Sequence, residues 1–403
     1  MDFNLNEFLL AVSWALDFVE TDILGIPLNH SKRVAYISLR MAEEIGMHPE
    51  EIFDLVSLAL LHDNSISEKA IHDTLQNKNV DILNSIESCR NHCIVSEENL
   101  KNYPFLTNVE GVILYHHENY DGSGFFGKKG DSIPLMSQII SLADTLDLRF
   151  DLKNSYLKNR NKIISFVKAN ENKLFSSKLV DIFLKVSKNT SFWLDLKDEY
   201  VIRVLKSNVP SFSKNLSLEK IHDITKVFSK IIDSKSKFTL KHSYGLSLKA
   251  SEMCDYYNKD KEEKLKLIIA ADLHDLGKLA IPNSILDKDG KLTEKEFDII
   301  RTHTYYTRIV LSEISGFEEI TEWAANHHEK LDGSGYPFGK NNKQLDFNSR
   351  LMACLDIYQA LTEERPYRKP MPHYKAIEIL RQIADNGAID SMIVNDINKV
   401  FSK

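Results

Sequence analysis

The sequence predicts an all-α fold built as two tandem helical domains related by duplication. Three observations carry this. Apolar residues recur at i, i+3 and i+4, the spacing of one helix face. Strand-like alternation is almost absent, and Gly 15 and Pro 10 in 403 residues are too few for a turn-rich β protein. A set of histidines and aspartates also repeats at a nearly constant interval, the signature of an internal repeat.

The register of that repeat hardly moves. His30 and His242 are 212 residues apart, as are His62-Asp63 and His274-Asp275, Asp144 and Asp356, and Glu7 and Glu219. His92 and His303 are 211 apart, as are His116-His117 and His327-His328. The tails "LFSSKLVDIFLKV" and "AIDSMIVNDINKV" echo one another. The expected domains are therefore 1–190 and 213–403, joined by a connector at 191–212 whose "DEYVIRVL" reads as a helix packed between the halves.

Taken in order, "HPEEIFDLVSLALLHD" carries Ile52, Leu55, Val56, Ala59 and Leu60 on one face, and His48-Pro49 reads as the helix entrance. "DKEEKLKLIIAADLHD" is its counterpart in the second copy. "DLKDEYVIRVL" and "PHYKAIEILRQIADNG" are further helices, the latter stopped by Gly387.

Composition narrows the function classes. Apolar residues at 43% and charged residues at 27% are ordinary for a globular chain long enough for two cores. A net charge of −7 without a long basic block argues against a nucleic-acid polymer as partner. The first residues lack a basic n-region and a cleavage site, and no apolar run approaches the ~20 residues of a membrane span. Cys89, Cys93, Cys254 and Cys354 form no disulfide framework at this size, so a cytoplasmic location is expected. Cys89, His92 and Cys93 stand close enough to raise a Cys/His zinc site, but no matching ligand pair follows and His92 belongs to the repeated set.

Ten of the fourteen histidines fall at matched positions, five in each copy, with two aspartates beside them. Imidazole with carboxylate suits Fe, Mn, Zn or Ni rather than Ca or Mg. Seven ligands are too many for one ion that leaves room for substrate. They fit two ions sharing a bridging carboxylate, and such a pair activates water for phosphoester displacement.

The second copy resembles the HD-GYP phosphodiesterases of the HD phosphohydrolase superfamily. The residues that carry the resemblance are His242, "HDLGK" (274–278), His303 in "RTH", "HHEKLDGSGYP" (327–337), Asp356 in "CLDIYQALTEERPYR", and Arg365 to Arg368. They cover nearly all of 213–403. The resemblance implies a helical metal centre that hydrolyses a cyclic dinucleotide, most often cyclic di-GMP, with cyclic GMP-AMP the alternative. One ion would be held by His242, His274, Asp275 and Asp356, and the other by Asp275, His303, His327 and His328. Asp275 and a water or hydroxide would bridge them. Iron or manganese is expected, with zinc or nickel as alternatives.

Asp275 and Lys278 are the expected catalytic residues. Gly277 lets the chain turn after the metal pair, and Lys278 then reaches a phosphate as a point charge. Arg365 and Arg368 offer planar forks for phosphate oxygens. Tyr336 stacks on or fences a guanine, or else packs its loop onto the body. Some family members hold a third ion through a glutamate four residues before the first histidine; Phe238 stands there, so two ions are expected.

The first copy keeps the seven ligand types: His30, His62, Asp63, His92, His116, His117 and Asp144. "HDLGK" has become "HDNSI", with Ser65 and Ile66 at the places of Gly277 and Lys278. "GYP" has become "GFF", with Phe125 and Phe126, and only Lys153 stands near the place of Arg365. This copy is expected to hold metal as a structural or regulatory partner. Two competing classes are a nucleotide-binding module that does not turn over, and a di-iron redox or dioxygen sensor. A homodimer or a signalling-protein partner are the assemblies left open.

Overall fold

The computed structural model describes residues 2–24, 28–66, 82–236, 241–288, 290–364 and 369–402. Among these, strand is confined to Asp2–Asn4 and Ser213–Asn215, and helices make up the rest of the regular structure. None of the described helices is long and apolar enough to cross a membrane. The chain divides into two compact units, the first lying within residues 4–213 and the second formed mainly by 214–402.

The helices of the first unit include α1 (Leu5–Leu24), α2 (His30–Ile45), α3 (Pro49–Leu61), α4 (Ile82–Leu100), α5 (Leu135–Arg149), α6 (Ser177–Val186) and α7 (Val201–Asn208). α2 is the central element and packs on α1, α3, α5, α6 and α7. It is buried along its whole first half, so its cations need partners there. Lys32 meets Asp17 at 2.6 Å, and Arg33 grips Asp147 at 2.6 and 2.9 Å. α3 starts where His48-Pro49 indicated: Glu51 accepts the His48 backbone N–H at 2.8 Å. The five apolar residues expected on its inner face are all buried.

The second unit contains α8 (Leu218–Ser234), α9 (His242–Tyr256), α10 (Lys261–Leu273), α11 (Glu294–Leu311), α12 (Glu318–Ala325), α13 (Phe347–Thr362), α14 (His373–Asp385) and α15 (Ser391–Phe401). α10 packs on α8, α9 and α12, and α13 on α9, α12, α14 and α15. Asp260 caps α10 by accepting the Glu263 N–H at 2.8 Å. Gly387 follows α14 at φ 78°, a left-handed stop.

One expected boundary is corrected. Residues 191–212 are not a spacer between halves. They group with the first unit, where α7 packs on α2 and α1. The cause is the apolar face of this segment: Phe192, Trp193, Leu196, Val201 and Leu205 are all buried.

Candidate metal centre

Each unit brings its seven repeated residues together, and each places them on equivalent elements. The first histidine opens a helix, His30 on α2 and His242 on α9. The His-Asp pair follows a helix end, after α3 and after α10. The third histidine sits within α4 or α11, the adjacent pair in a loop, and the last aspartate in α5 or α13.

In the second unit Asp275 faces both sides of the cluster. Its Oδ2 is 3.1 Å from His274 Nε2, while its Oδ1 is 3.5 Å from His303 Nε2 and 3.8 Å from His327 Nε2. Asp356 Oδ1 is 2.9 Å from His242 Nε2 and 3.9 Å from His274 Nε2. His328 Nδ1 is 3.9 Å from Asp356 Oδ2. The first unit repeats the division. Asp63 Oδ2 is 3.5 Å from His62, and its Oδ1 is 2.8 Å from His92 and 3.9 Å from His116. Asp144 Oδ1 is 3.2 Å from His30 and 3.7 Å from His62, and His117 Nδ1 is 3.6 Å from Asp144 Oδ2.

These donors fit metal ions. His62, His116, His274, His303 and His327 each direct Nδ1 at a backbone carbonyl three residues back, at 2.5 to 2.9 Å. That bond places the proton on Nδ1 and turns the Nε2 lone pair into the cluster. The Nε2 atoms of His62, His92, His116 and His274 are buried without an aligned hydrogen-bond partner, as are Oδ1 of Asp63, Asp144 and Asp275. Buried polar atoms are rarely left so, and a shared cation satisfies both kinds at once. Three donor groups in the second unit lie within 4.8 Å: His242, His274 and Asp356; His303, His327 and His328; and His274, Asp275 and His327 across them.

The electrostatics divide the imidazoles: burial lowers His242, yet Asp356 and Glu363 push it up to about 10, whereas His303, His327 and His328 fall. Burial, opposed by Asp275, brings His303 down to about 3, and burial likewise brings His328 to about 4. Burial alone would raise the Asp275 carboxyl, but His274 and Lys278 hold it well below the usual carboxylate range. Neutral imidazoles around an ionised carboxylate are the forms a metal needs.

Several supporting residues were not singled out from sequence. His242 Nδ1 is 2.9 Å from Glu363, which also takes Gln359 Nε2 at 3.0 Å; Lys249 donates to Gln359 at 2.6 Å. In the first unit Asp147 serves His30 Nδ1 at 2.7 Å. The two carboxylates stand at unmatched places, so the repeat conceals their shared role. A matched signal did exist in the Ser after each first histidine. Ser31 and Ser243 each donate to a carboxylate of the preceding helix, Asp17 or Asp233, at 2.7 Å.

The duplicated "HHE…DGSG" segment is a loop clip. Glu118 accepts the N–H groups of Phe126 and Lys128 at 2.7 and 2.6 Å, and Glu329 those of Phe338 and Lys340 at 2.7 and 2.9 Å. A Cβ on Gly124 would meet Glu118 Oε1 at 2.5 Å, and one on Gly335 would meet Lys330 N at 2.4 Å. The clip sets Tyr336 against His328, with ring centroids 4.9 Å apart, and Arg301 lies 5.7 Å over the Tyr336 ring. Arg301 was quoted within "RTH" but given no role, although an arginine stands two residues before His92 and before His303 alike.

Lys278 lies on the cluster, its Nζ 2.6 Å from Asp275 Oδ2. Gly277 has a different reason from the turn assigned to it. A Cβ there would lie 1.9 Å from the His303 carbonyl oxygen, so the glycine permits close approach to α11. In the first unit Ser65 donates to the His92 carbonyl at 3.1 Å and its Oγ is 2.8 Å from His92 Nδ1. Ile66 is buried, and Lys153 is half-buried on the turn after α5. Arg365, Arg368 and Phe238 lie outside the described residues. Cys93, set aside in the sequence, is brought into the first cluster: its Sγ and a ring nitrogen of His92, His116 and His117 lie within 4.8 Å of one another.

Comparison with known proteins gives consistent matches. The HD domain family matches residues 22–167 and again 226–393. A Vibrio cholerae protein named 3'3'-cGAMP-specific phosphodiesterase 1 is 31% identical over 98% of this chain and 91% of its own length. A second from that organism, 3'3'-cGAMP-specific phosphodiesterase 3, is 28% identical over 94% of this chain and 91% of its own. A Pseudomonas aeruginosa cyclic di-GMP phosphodiesterase is 39% identical over 31% of this chain and 30% of its own. A crystal structure of a Vibrio cholerae cyclic GMP-AMP-specific phosphodiesterase superposes with TM-score 0.70 at 25% identity, over 100% of this chain and 98% of that one.

Proposed function

We propose a function from one premise: the chain belongs to the HD-domain family, as a tandem protein of the HD-GYP type. It is a cyclic dinucleotide phosphodiesterase whose second unit carries the chemistry. His242, His274, Asp275 and Asp356 hold one transition-metal ion; Asp275, His303, His327 and His328 hold the other. Bound there, iron or manganese supplies an activated water and stabilises the attacking and leaving oxygens. The division of the two Asp275 oxygens between His274 on one side and His303 and His327 on the other supports this pairing. Lys278 stabilises charge on the phosphate, and Tyr336 with Arg301 flanks the substrate base.

The substrate is 3'3'-cGAMP in preference to cyclic di-GMP. The family resemblance alone put cyclic di-GMP first. The observation that supports the reversed order is coverage: two relatives named for 3'3'-cGAMP align with 98% and 94% of the chain and a third with 43%, against 31% and 41% for relatives named for cyclic di-GMP from Pseudomonas and Thermotoga. The first unit keeps a donor set but carries Ile66 in place of Lys278, so it binds metal as a structural or regulatory partner in a cytoplasmic enzyme. The test is anaerobic purification, metal analysis and turnover of the two cyclic dinucleotides side by side. A higher kcat/KM for 3'3'-cGAMP is expected; a higher value for cyclic di-GMP overturns the substrate order.

A further inference from the structure

We infer that the metal centre of the first unit takes a thiolate ligand, Cys93, and so differs in kind from the centre of the second unit. The inference rests on the reading that the first unit binds metal. Its basis is the placement of four donors: Cys93 Sγ and one ring nitrogen each of His92, His116 and His117 lie within 4.8 Å of one another. Cys93 and His116 are fully buried, and His92 is 5% exposed. The Nε2 atoms of His92 and His116 have no aligned hydrogen-bond partner. Three imidazoles and a thiol, all buried but the half-buried His117, are a complete set of donors for a transition metal.

The second unit has no such sulfur. The residue after its third histidine is Thr304, whose hydroxyl donates to the Arg301 carbonyl of its own helix at 3.1 Å. Among the described residues, His303, His327 and His328 stand there without a fourth soft donor. The third histidines are also held differently. His303 Nδ1 is 2.6 Å from the Ile300 carbonyl, whereas His92 Nδ1 is 2.8 Å from the Ser65 hydroxyl, at the place Gly277 occupies in the second unit. The changes at Ser65 and at Cys93 therefore converge on the same imidazole.

Binding breaks the S–H bond of Cys93, forms a metal–sulfur bond and releases the proton to solvent. A centre with one thiolate favours softer ions such as zinc, iron or cobalt over manganese, while the oxygen- and nitrogen-only second centre accepts the harder ion. The two halves of one chain would thus be loaded with different metals.

Cobalt(II) titration of the full-length apoprotein tests this, with His303→Ala and Asp275→Ala introduced to silence the second centre and circular dichroism confirming the fold. The expected result is a near-ultraviolet sulfur-to-cobalt charge-transfer band together with visible ligand-field bands. Cys93→Ser, and Cys93→Thr that copies the second unit, should lose the charge-transfer band and keep visible absorption from the histidines. A band that survives both substitutions overturns the assignment of Cys93. Ligand-field absorption with no charge-transfer band in the protein that keeps Cys93 overturns the thiolate while leaving metal binding intact. No cobalt bound at all overturns the underlying metal reading of the first unit, and the inference with it.

Discussion

Replacing Gly277 by alanine probes how closely the His-Asp turn must approach α11. The added Cβ would stand 1.9 Å from the His303 carbonyl oxygen and 2.8 Å from both the His303 carbonyl carbon and the Thr307 nitrogen. Ordinary contact begins at 3.4 Å, so the turn and the helix must separate. All three atoms are backbone, so no flexible side chain can absorb the movement. Gly277 N–H also donates to Thr307 Oγ1 at 2.9 Å, and that bond is lost as the elements part. Overpacking of this kind costs roughly 1–3 kcal/mol. The larger effect falls on chemistry, because Asp275 and His303 lie on the two elements forced apart, and a misplacement of about 1 Å typically costs ~10²-fold in rate. Turnover of 3'3'-cGAMP, thermal melting and metal content measured on one preparation make the assay. The expected outcome is a lower melting temperature, a rate down by about two orders of magnitude and weaker metal retention. Unchanged melting and turnover in Gly277→Ala would refute the close-approach argument.

Two further substitutions test the surroundings of the centre. Lys278→Ile, which copies Ile66, should keep a folded, metal-loaded protein and lower turnover by ~10²–10³, the usual cost of removing one electrostatic contact to a transition state; near-normal kcat would remove this residue from the mechanism. Glu363→Gln keeps the size of the side chain but weakens its hold on His242 Nδ1, and should lower metal affinity by about 10–100-fold in a chelator competition; unaltered affinity would make Glu363 a bystander.

The fold and the clustering of the His and Asp set were legible because both rest on periodic signals. Helix faces recur every three or four residues, and the His and Asp set recurs at a fixed offset, so neither needed tertiary information. Glu363 and Asp147 were not legible: they do the same work from different turns of α13 and α5 or just beyond, and no alignment of the halves pairs them. Gly277 was visible as part of the second copy's motif, but its cause is a close backbone approach to His303 and Thr307 of α11. Cys93 was seen and set aside because no matching ligand pair follows it, since sequence spacing does not reveal that His116 and His117 fold back onto it. The connector was misjudged at its boundary because an apolar helix face shows that a segment packs, not which unit it packs on.

The central claim is that hydrolysis belongs to the second unit, with Asp275 shared between its two ions. The direct measurement is the initial rate of 3'3'-cGAMP hydrolysis by metal-loaded Asp275→Asn and Asp63→Asn proteins, each compared with the parent chain. The account predicts activity near the detection limit for Asp275→Asn and most of the parent rate for Asp63→Asn. Equal loss from both substitutions, or greater loss from Asp63→Asn, would contradict it.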